Sequence, residues 1–166
     1  MDILVIVAHP DDGSIFCGGT LAKHAERGDE VHILYLTDGE LGRLESASAE
    51  ETRERRRREA KGAGDALGCS VSFMGLRDGR LEPKMGIRLD LVREIRYHQP
   101  EVILTHSESD PHPDHESTYK MVKNAYYMAS LPGVDVEQSP HDPSNVYFFG
   151  KSSTDFEPEI FVDISG

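Results

Sequence analysis

Two short stretches of this chain combine histidine and aspartate at spacings that suit a catalytic metal. AHPDD spans residues 8–12, and HPDH spans residues 112–115 shortly after the apolar run 102–106. Adjacent carboxylates repel each other, and a buried carboxylate is costly unless a cation neutralises it. His9, Asp12 and one histidine of HPDH form a two-histidine, one-carboxylate set, which is typical of a catalytic zinc site with an open position for water. The same donors suit non-haem iron, so the residue types leave the metal open.

The elements that must position these residues follow an alternating pattern. Four helical patterns separate apolar runs that have the composition of strands, and the runs are continuously apolar, which is typical of strands buried on both faces. This alternation predicts an α/β fold, a Rossmann-like doubly wound, mostly parallel sheet with helices on both faces. The carboxyl ends of its strands would bring AHPDD and HPDH to one rim. The predicted strands are 3–8, 31–37, 71–74, 102–106, 146–150 and 160–164, and the predicted helices are 18–27, 48–67, 86–98 and 113–131.

Length and composition narrow the class of protein. The 166 residues suit a single domain. The sequence contains no run of about 18 apolar residues, so we expect no membrane span. Cys17 and Cys69 are too few for a disulfide framework, which favours the cytoplasm. A net charge of −12 argues against a nucleic-acid partner. The arginine run in 54–59 is flanked by acidic residues, so for most of these arginines we expect a solvated helix face.

Six segments in a fixed order resemble a known enzyme family. They are AHPDD, CGGT (17–20), LTDGELG (36–42), LRDGRLE (76–82), HPDH and FEPEIFVDIS (156–165). Together they resemble the PIG-L/LmbE-like zinc-dependent N-acetylglucosaminyl deacetylases, most nearly the bacillithiol-biosynthesis branch. The resemblance implies one deacetylase domain over residues 1–166 that lacks the family's C-terminal segment. It also implies a small amino-sugar substrate and a homo-oligomer, either a trimer or a hexamer.

The resemblance also implies roles for individual residues. His9, Asp12 and His115 would be the ligands of one zinc ion per chain. Fe²⁺ or another divalent ion could take the place of zinc. Asp11 would be the general base that takes a proton from water. His112 would be a protonated partner that stabilises the oxyanion and supplies a proton to the leaving amine, with Asp114 orienting it. One carboxylate of the DD pair would therefore bind metal while its neighbour moves protons.

Four further residues are implied to contact the substrate. Arg56 matches the substrate-binding arginine of the family, and Glu40 and Asp78 match positions that line the sugar pocket. His141, in the long turn-rich loop 132–145, would contribute to the same site or to a subunit contact. These residues suit a polar sugar with an anionic or hydroxylated partner.

One departure from the family keeps other functions open. Relatives usually carry an acidic residue two positions after the DD pair, whereas Gly13 and Ser14 follow it here. The alternatives are an amidase acting on a thiol conjugate and a non-catalytic metal-binding or ligand-binding protein on the same scaffold. Asp11 and His112 favour an enzyme, because a protein that only binds needs neither. No GxGxxG motif follows the first strand, which argues against a nucleotide site.

Overall fold

Five strands and four helices alternate along the residues that the structure describes. The structure is a computed structural model and describes residues 1–42, 46–150 and 157–165. The elements are β1 (Asp2–Val7), α1 (Asp12–Glu26), β2 (Glu30–Thr37), α2 (Ala49–Leu67), β3 (Ser70–Leu76), α3 (Met85–His98), β4 (Val102–His106), α4 (Pro113–Ala129) and β5 (Asn145–Phe149). The sheet order is β3-β2-β1-β4-β5, and all neighbouring strands are parallel. The predicted doubly wound, Rossmann-like α/β fold is confirmed.

The core lies on both faces of the sheet because successive strand residues point to opposite sides. On one face, Leu4 and Ile6 of β1 pack in a cluster with residues of α3 and α4. On the other face, Val5 and Val7 pack with residues of α1 and α2. The body of the domain is therefore a three-layer sandwich, and it leaves the strand ends free for a site. Within the described ranges, no helix is long and apolar enough to cross a membrane.

Helix α1 begins earlier than the sequence pattern predicted. We expected it from residue 18, but it starts at Asp12, immediately after the AHPDD turn. Gly13 is buried against β2, where an added Cβ would lie 3.3 Å from Cγ2 of Ile33. Glycine has low helix propensity, so the three glycines in the first two turns did not indicate a helix that begins at Asp12. Asp12 consequently lies in the first turn of a helix, where the helix dipole stabilises a negative charge.

The predicted strand at 160–164 is wrong. The described residues 157–165 contain no strand, and this segment lies along α1 instead. Ile164 packs so closely on Gly19 that an added Cβ would lie 2.8 Å from its Cδ1, and the Lys23 ammonium donates to the carbonyl of Asp163. Phe161 is 81% exposed. An apolar, β-branched run forms a strand only beside a backbone partner, and this run contacts helix side chains instead.

A buried arginine fixes the loop that follows α4. Arg96 of α3 is 2% exposed, and the acceptors of its guanidinium hydrogen bonds are not carboxylates. It donates instead to four backbone carbonyls, those of Ala129 (3.0 Å), Leu131 (2.7 Å), Val134 (3.3 Å) and Gln138 (2.9 Å). One side chain therefore binds four carbonyls of a turn-rich segment and ties that segment to α3.

We expect Arg96→Leu to destabilise the domain on the order of 3 kcal/mol, because it removes the four hydrogen bonds that a buried cation donates to this loop. The measurement is the free energy of unfolding in urea. Arg93→Leu is the matched control, since Arg93 is exposed on the same helix and pairs only with the nearby Asp90. We expect that control to change stability by about 0.5 kcal/mol or less. Equal losses in both variants would contradict this role of Arg96.

Candidate metal centre

The carboxyl ends of β1 and β4 bring AHPDD and HPDH together, as the parallel sheet predicted. His9 follows β1, and His115 lies in the first turn of α4, after β4. The Nδ1 atom of His9 is 3.1 Å from Nε2 of His115. The Asp12 carboxylate lies beside both, with Oδ2 3.3 Å from His9 Nδ1 and Oδ1 3.3 Å from His115 Nε2. Three residues from two distant motifs therefore converge on one point.

This geometry fits a divalent metal. Ligands at about 2.0–2.1 Å from a tetrahedral zinc ion lie roughly 3.4 Å from each other. The three distances among His9, Asp12 and His115 are 3.1–3.3 Å. Two overlapping sets, His9 with His112 and His115, and Asp12 with His106 and His115, also place their donor atoms within 4.8 Å of one another. The donors present are those that zinc and iron both accept.

Charge in this cluster calls for a cation. Burial would raise the pKa of Asp12, but the neighbouring His106, His115 and His9 hold it far below its usual range. Burial would lower the pKa of His9, but hydrogen bonds to Asp114, Asp12 and Asp78 outweigh it and raise that pKa to about 11. Asp12 therefore stays ionised, and either a proton on His9 or a metal ion must balance it.

Two carboxylates orient His9 from its other ring nitrogen. Its Nε2 is 3.1 Å from Oδ1 of Asp78 and 3.3 Å from Oδ2 of Asp114. A hydrogen on Nε2 shared by these carboxylates leaves Nδ1 free to face Asp12 and His115, an arrangement common around metal-bound histidines. Asp78 was predicted to line a sugar pocket. In the structure its carboxylate is engaged by His9 and by the backbone N–H of Leu41 (2.9 Å).

The prediction that Asp114 orients His112 is wrong for its carboxylate. That carboxylate is buried and accepts from the backbone N–H groups of Gly79 (2.7 Å) and Leu81 (3.2 Å), in addition to its contact with His9. Only the backbone N–H of Asp114 reaches His112, donating to Nδ1 at 3.2 Å. The cause is the helix start: His112 caps α4, and the side chain of Asp114 points into the β3–α3 loop.

The sequence reasoning missed Asp110. Its Oδ2 lies 2.9 Å from Nδ1 of His115, and its Oδ1 accepts the backbone N–H of His112 at 2.9 Å. Asp110 is buried, so this contact fixes the His115 ring with Nε2 turned toward His9 and Asp12. The signal was available as an acidic residue two positions before HPDH, in the segment DPHPDH.

The two aspartates of the opening motif diverge. Asp12 is buried among the histidines, whereas the Asp11 side chain is 52% exposed. Oδ1 of Asp11 accepts from Nη2 of Arg56 at 2.7 Å. Gly39 makes room for this guanidinium, because its φ is +65° and an added Cβ would lie 2.5 Å from Nε of Arg56. The Asp11 carboxylate is therefore next to the histidine cluster in the chain, but it pairs with Arg56 at the surface.

The arginine run is only in part a solvated face. Arg58 is exposed and Arg55 pairs with Glu59, as expected. Arg56 instead reaches Asp11, and Arg57 donates to the buried carboxylate of Asp38 at 2.7 Å. The expectation covered most of these arginines and Arg56 was already assigned to the substrate, so Arg57 is the departure. Its partner Asp38 lies in the loop that follows β2.

Glu40 and His141 have opposite outcomes. Glu40 is buried beside the site: its Oε1 accepts the N–H of Asp78 at 3.2 Å, and its Oε2 has no hydrogen-bond partner among the described residues. His141 lies at the other edge of the sheet, where its Nε2 is 2.7 Å from the carbonyl of Pro100, just before β4. The structure therefore places His141 away from the metal centre of its own chain, and the predicted alternative, a subunit contact, stays a prediction.

These observations define an α/β protein with a candidate centre for a divalent metal at the carboxyl rim of its sheet. Comparison with known families identifies it further. Residues 4–126 match the model of the PIG-L family, described as GlcNAc-PI de-N-acetylase, and the chain belongs to that family.

Relatives within this similarity differ in their activities. The 4-oxalmesaconate hydratase of Pseudomonas putida is 30% identical over 98% of this chain and 67% of its own length. The mycothiol S-conjugate amidase of Streptomyces coelicolor is 30% identical over 88% of this chain and 59% of its own. The crystal structure of N,N′-diacetylchitobiose deacetylase from Pyrococcus horikoshii matches with a TM-score of 0.91 and 29% identity, over 99% of this chain and 64% of that one. The chain therefore spans about three fifths to two thirds of the length of these relatives.

Proposed function

We propose that this protein is a zinc-dependent deacetylase that removes the N-acetyl group from a small molecule containing N-acetylglucosamine. The observation that carries the proposal is the convergence of His9, Asp12 and His115 at 3.1–3.3 Å, with Asp11 exposed beside them. Membership of the PIG-L family and the likeness to a diacetylchitobiose deacetylase support the choice of substrate class.

The residues around the centre have distinct proposed roles. His9, Asp12 and His115 would hold the metal, which supplies Lewis-acid activation of water and of the amide carbonyl when bound. Asp11 accepts a proton from the attacking water as the oxygen–carbon bond forms. When the carbon–nitrogen bond breaks, the leaving amine takes that proton from Asp11. The second proton of the water stays on the acetic acid that is released, so the protons balance with one exposed carboxylate.

His112 is proposed to stabilise the oxyanion as a neutral ring. Its pKa is lowered, chiefly by partial desolvation and then by the nearby His115 and His9. Because Nδ1 accepts the N–H of Asp114, a neutral ring carries its hydrogen on Nε2 and can donate it to the developing negative charge. This proposal departs from the protonated His112 that the resemblance implied, since protonation would break the bond at Nδ1.

Substrate contacts are proposed for Glu40 and Arg56. The free Oε2 of Glu40 suits a sugar hydroxyl, which can donate to it. Arg56 suits an anionic or hydroxylated group attached to the sugar. Asp78 is proposed instead to orient His9, because its carboxylate is already engaged.

Amine release and metal content test this function together. We expect the purified protein to hold about one divalent ion per chain, to release amine from at least one N-acetylglucosaminide, and to lose that activity to a chelator until zinc is restored. The panel includes diacetylchitobiose, an acetylated thiol conjugate and 4-oxalmesaconate. Turnover of the thiol conjugate alone would indicate an amidase, and turnover of the unsaturated acid alone would indicate a hydratase. Full metal occupancy with no turnover would indicate a binding protein.

Three finer points belong to the same proposal. We propose zinc as the native metal, although the ligand set also suits iron. A cytoplasmic location is supported by the presence of only two cysteines, both free. A homo-oligomer, either a trimer or a hexamer, is supported by the family resemblance, and light scattering of the purified protein tests it.

A further inference from the structure

His106 lies directly beneath the candidate metal centre. It ends β4, is 0% exposed, and its ring stacks on that of His115 with centroids 3.9 Å apart and planes at 16°. Its Nε2 lies 3.1 Å from the backbone nitrogen of Ala8 and 3.3 Å from Oδ2 of Asp12. One buried ring therefore contacts two proposed ligands and the peptide that leads to the third, His9.

The peptide of Ala8 is held from both neighbouring strands. On the β2 side, its carbonyl accepts from the backbone N–H and from the hydroxyl of Thr37, both at 2.9 Å. On the β4 side, its N–H donates to His106. Ala8 is itself fully buried, so water cannot replace either bond. We call the bonds from Thr37 and to His106 the clamp on Ala8, and the backbone position of His9 depends on it.

The same contact argues that His106 is not itself a ligand. Its Nε2 lone pair accepts the Ala8 N–H, so the neutral ring carries its hydrogen on Nδ1, and neither nitrogen presents a free lone pair to a metal. Nδ1 is buried and has no hydrogen-bond partner among the described residues, and the ring of Phe149 packs against the His106 ring with centroids 5.1 Å apart. The ring is thus a buried support for the ligands.

We propose that His106 is a positioning residue for the metal centre. It holds the Ala8 peptide as a hydrogen-bond acceptor and packs against the His115 ring, so that β1, β4 and α4 present their ligands in register. This inference rests on the proposed metal-dependent function. It goes beyond that function by assigning a role to a histidine outside the ligand and catalytic sets.

Two substitutions of His106 distinguish the effect of its hydrogen-bond acceptor from the effect of its aromatic ring. His106→Phe keeps an aromatic ring and removes the acceptor, and His106→Gln keeps an acceptor oxygen and removes the ring. The measurement is zinc affinity of the metal-free proteins by competition with a chelator. We expect His106→Phe to lose about 10–100-fold in affinity, as is typical when a supporting contact of a ligand is removed, and His106→Gln to recover most of that loss.

Thr105→Val is the matched control. Its hydroxyl donates to the carbonyl of Ile6 at 2.7 Å, so this change also removes a buried bond between β4 and β1, but one that touches no ligand. We expect it to lower the melting temperature of the metal-free protein and to leave zinc affinity unchanged. A control that loses as much affinity as His106→Phe would overturn the proposal, because general destabilisation would then explain both.

The remaining outcomes also decide. Wild-type affinity in a folded His106→Phe variant, or a His106→Gln variant no better than it, would overturn the role of the acceptor. If His106→Phe does not fold, His106→Leu replaces it, with the same expected loss of about 10–100-fold. A folded His106→Leu variant with wild-type affinity would overturn the proposal. A wild-type protein that binds no zinc would instead refute the proposed function itself.

Discussion

Asp12→Ala is expected to abolish metal binding and activity together. The Asp12 carboxylate is the one negatively charged member of the proposed ligand set, and it contacts both histidines. Without it, two imidazoles remain to hold a dication, and zinc sites rarely retain metal with two protein ligands. Metal content per chain should fall from about one ion to near zero, and amine release should fall to background.

This substitution should also cost stability in the metal-free protein. The backbone N–H of His9 donates to Oδ2 of Asp12 at 2.7 Å and would lose that acceptor. The expected loss is about 1–3 kcal/mol in the free energy of unfolding. Circular dichroism of the metal-free variant establishes that it still folds. A folded Asp12→Ala protein with full zinc occupancy would remove Asp12 from the ligand set.

Asp11→Asn is expected to keep the metal and lose turnover. Asp11 is exposed and, among the described residues, its carboxylate pairs with Arg56 rather than with His9 or His115. Its replacement by an isosteric amide should therefore leave zinc affinity unchanged. Loss of a general base typically lowers kcat by about 10²–10⁴-fold. The measurements are kcat for amine release and metal content of the same preparation.

Glu108→Gln is the control for this charge change. Glu108 is exposed in the loop after β4, and its carboxylate accepts a hydrogen bond from the hydroxyl of Tyr119. It should keep both kcat and zinc. Near wild-type kcat in Asp11→Asn would mean that the base is another group. Asp114, the next carboxylate in the motifs, is poorly suited, because the N–H groups of Gly79 and Leu81 already occupy it.

The contrast between these variants shows what could be predicted from sequence. Both motifs follow apolar runs, and parallel strands have their carboxyl ends at one edge, so the meeting of His9 with His115 was predictable. The different fates of Asp11 and Asp12 were implied by the family resemblance. The structure adds the physical reason, since the helix start at Asp12 turns one side chain inward and leaves its neighbour outside.

Contacts between loops of different strands could not be predicted in the same way. Asp78 comes from the loop after β3 and Asp114 from α4, yet both face Nε2 of His9. The spacing within one motif does not specify such a pairing. It depends on how the loop after β3 and the start of α4 pack against the turn after β1. The position of His141 could not be predicted either, because its loop is long enough to reach both ends of the strands. Its hydrogen bond to the carbonyl of Pro100 places it at the amino end of β4.

The clamp on Ala8 has a consequence for the order of folding. Its partners come from residues 29 and 98 positions further along the chain, and His115 lies 106 positions from His9. Contacts of such long sequence separation form slowly, because a large loop must close first. During synthesis the centre cannot assemble until α4 has left the ribosome and β4 has paired with β1. Uptake of the proposed metal would therefore come late in folding, and the ion would stabilise the closed β1–β4 pair by mass action.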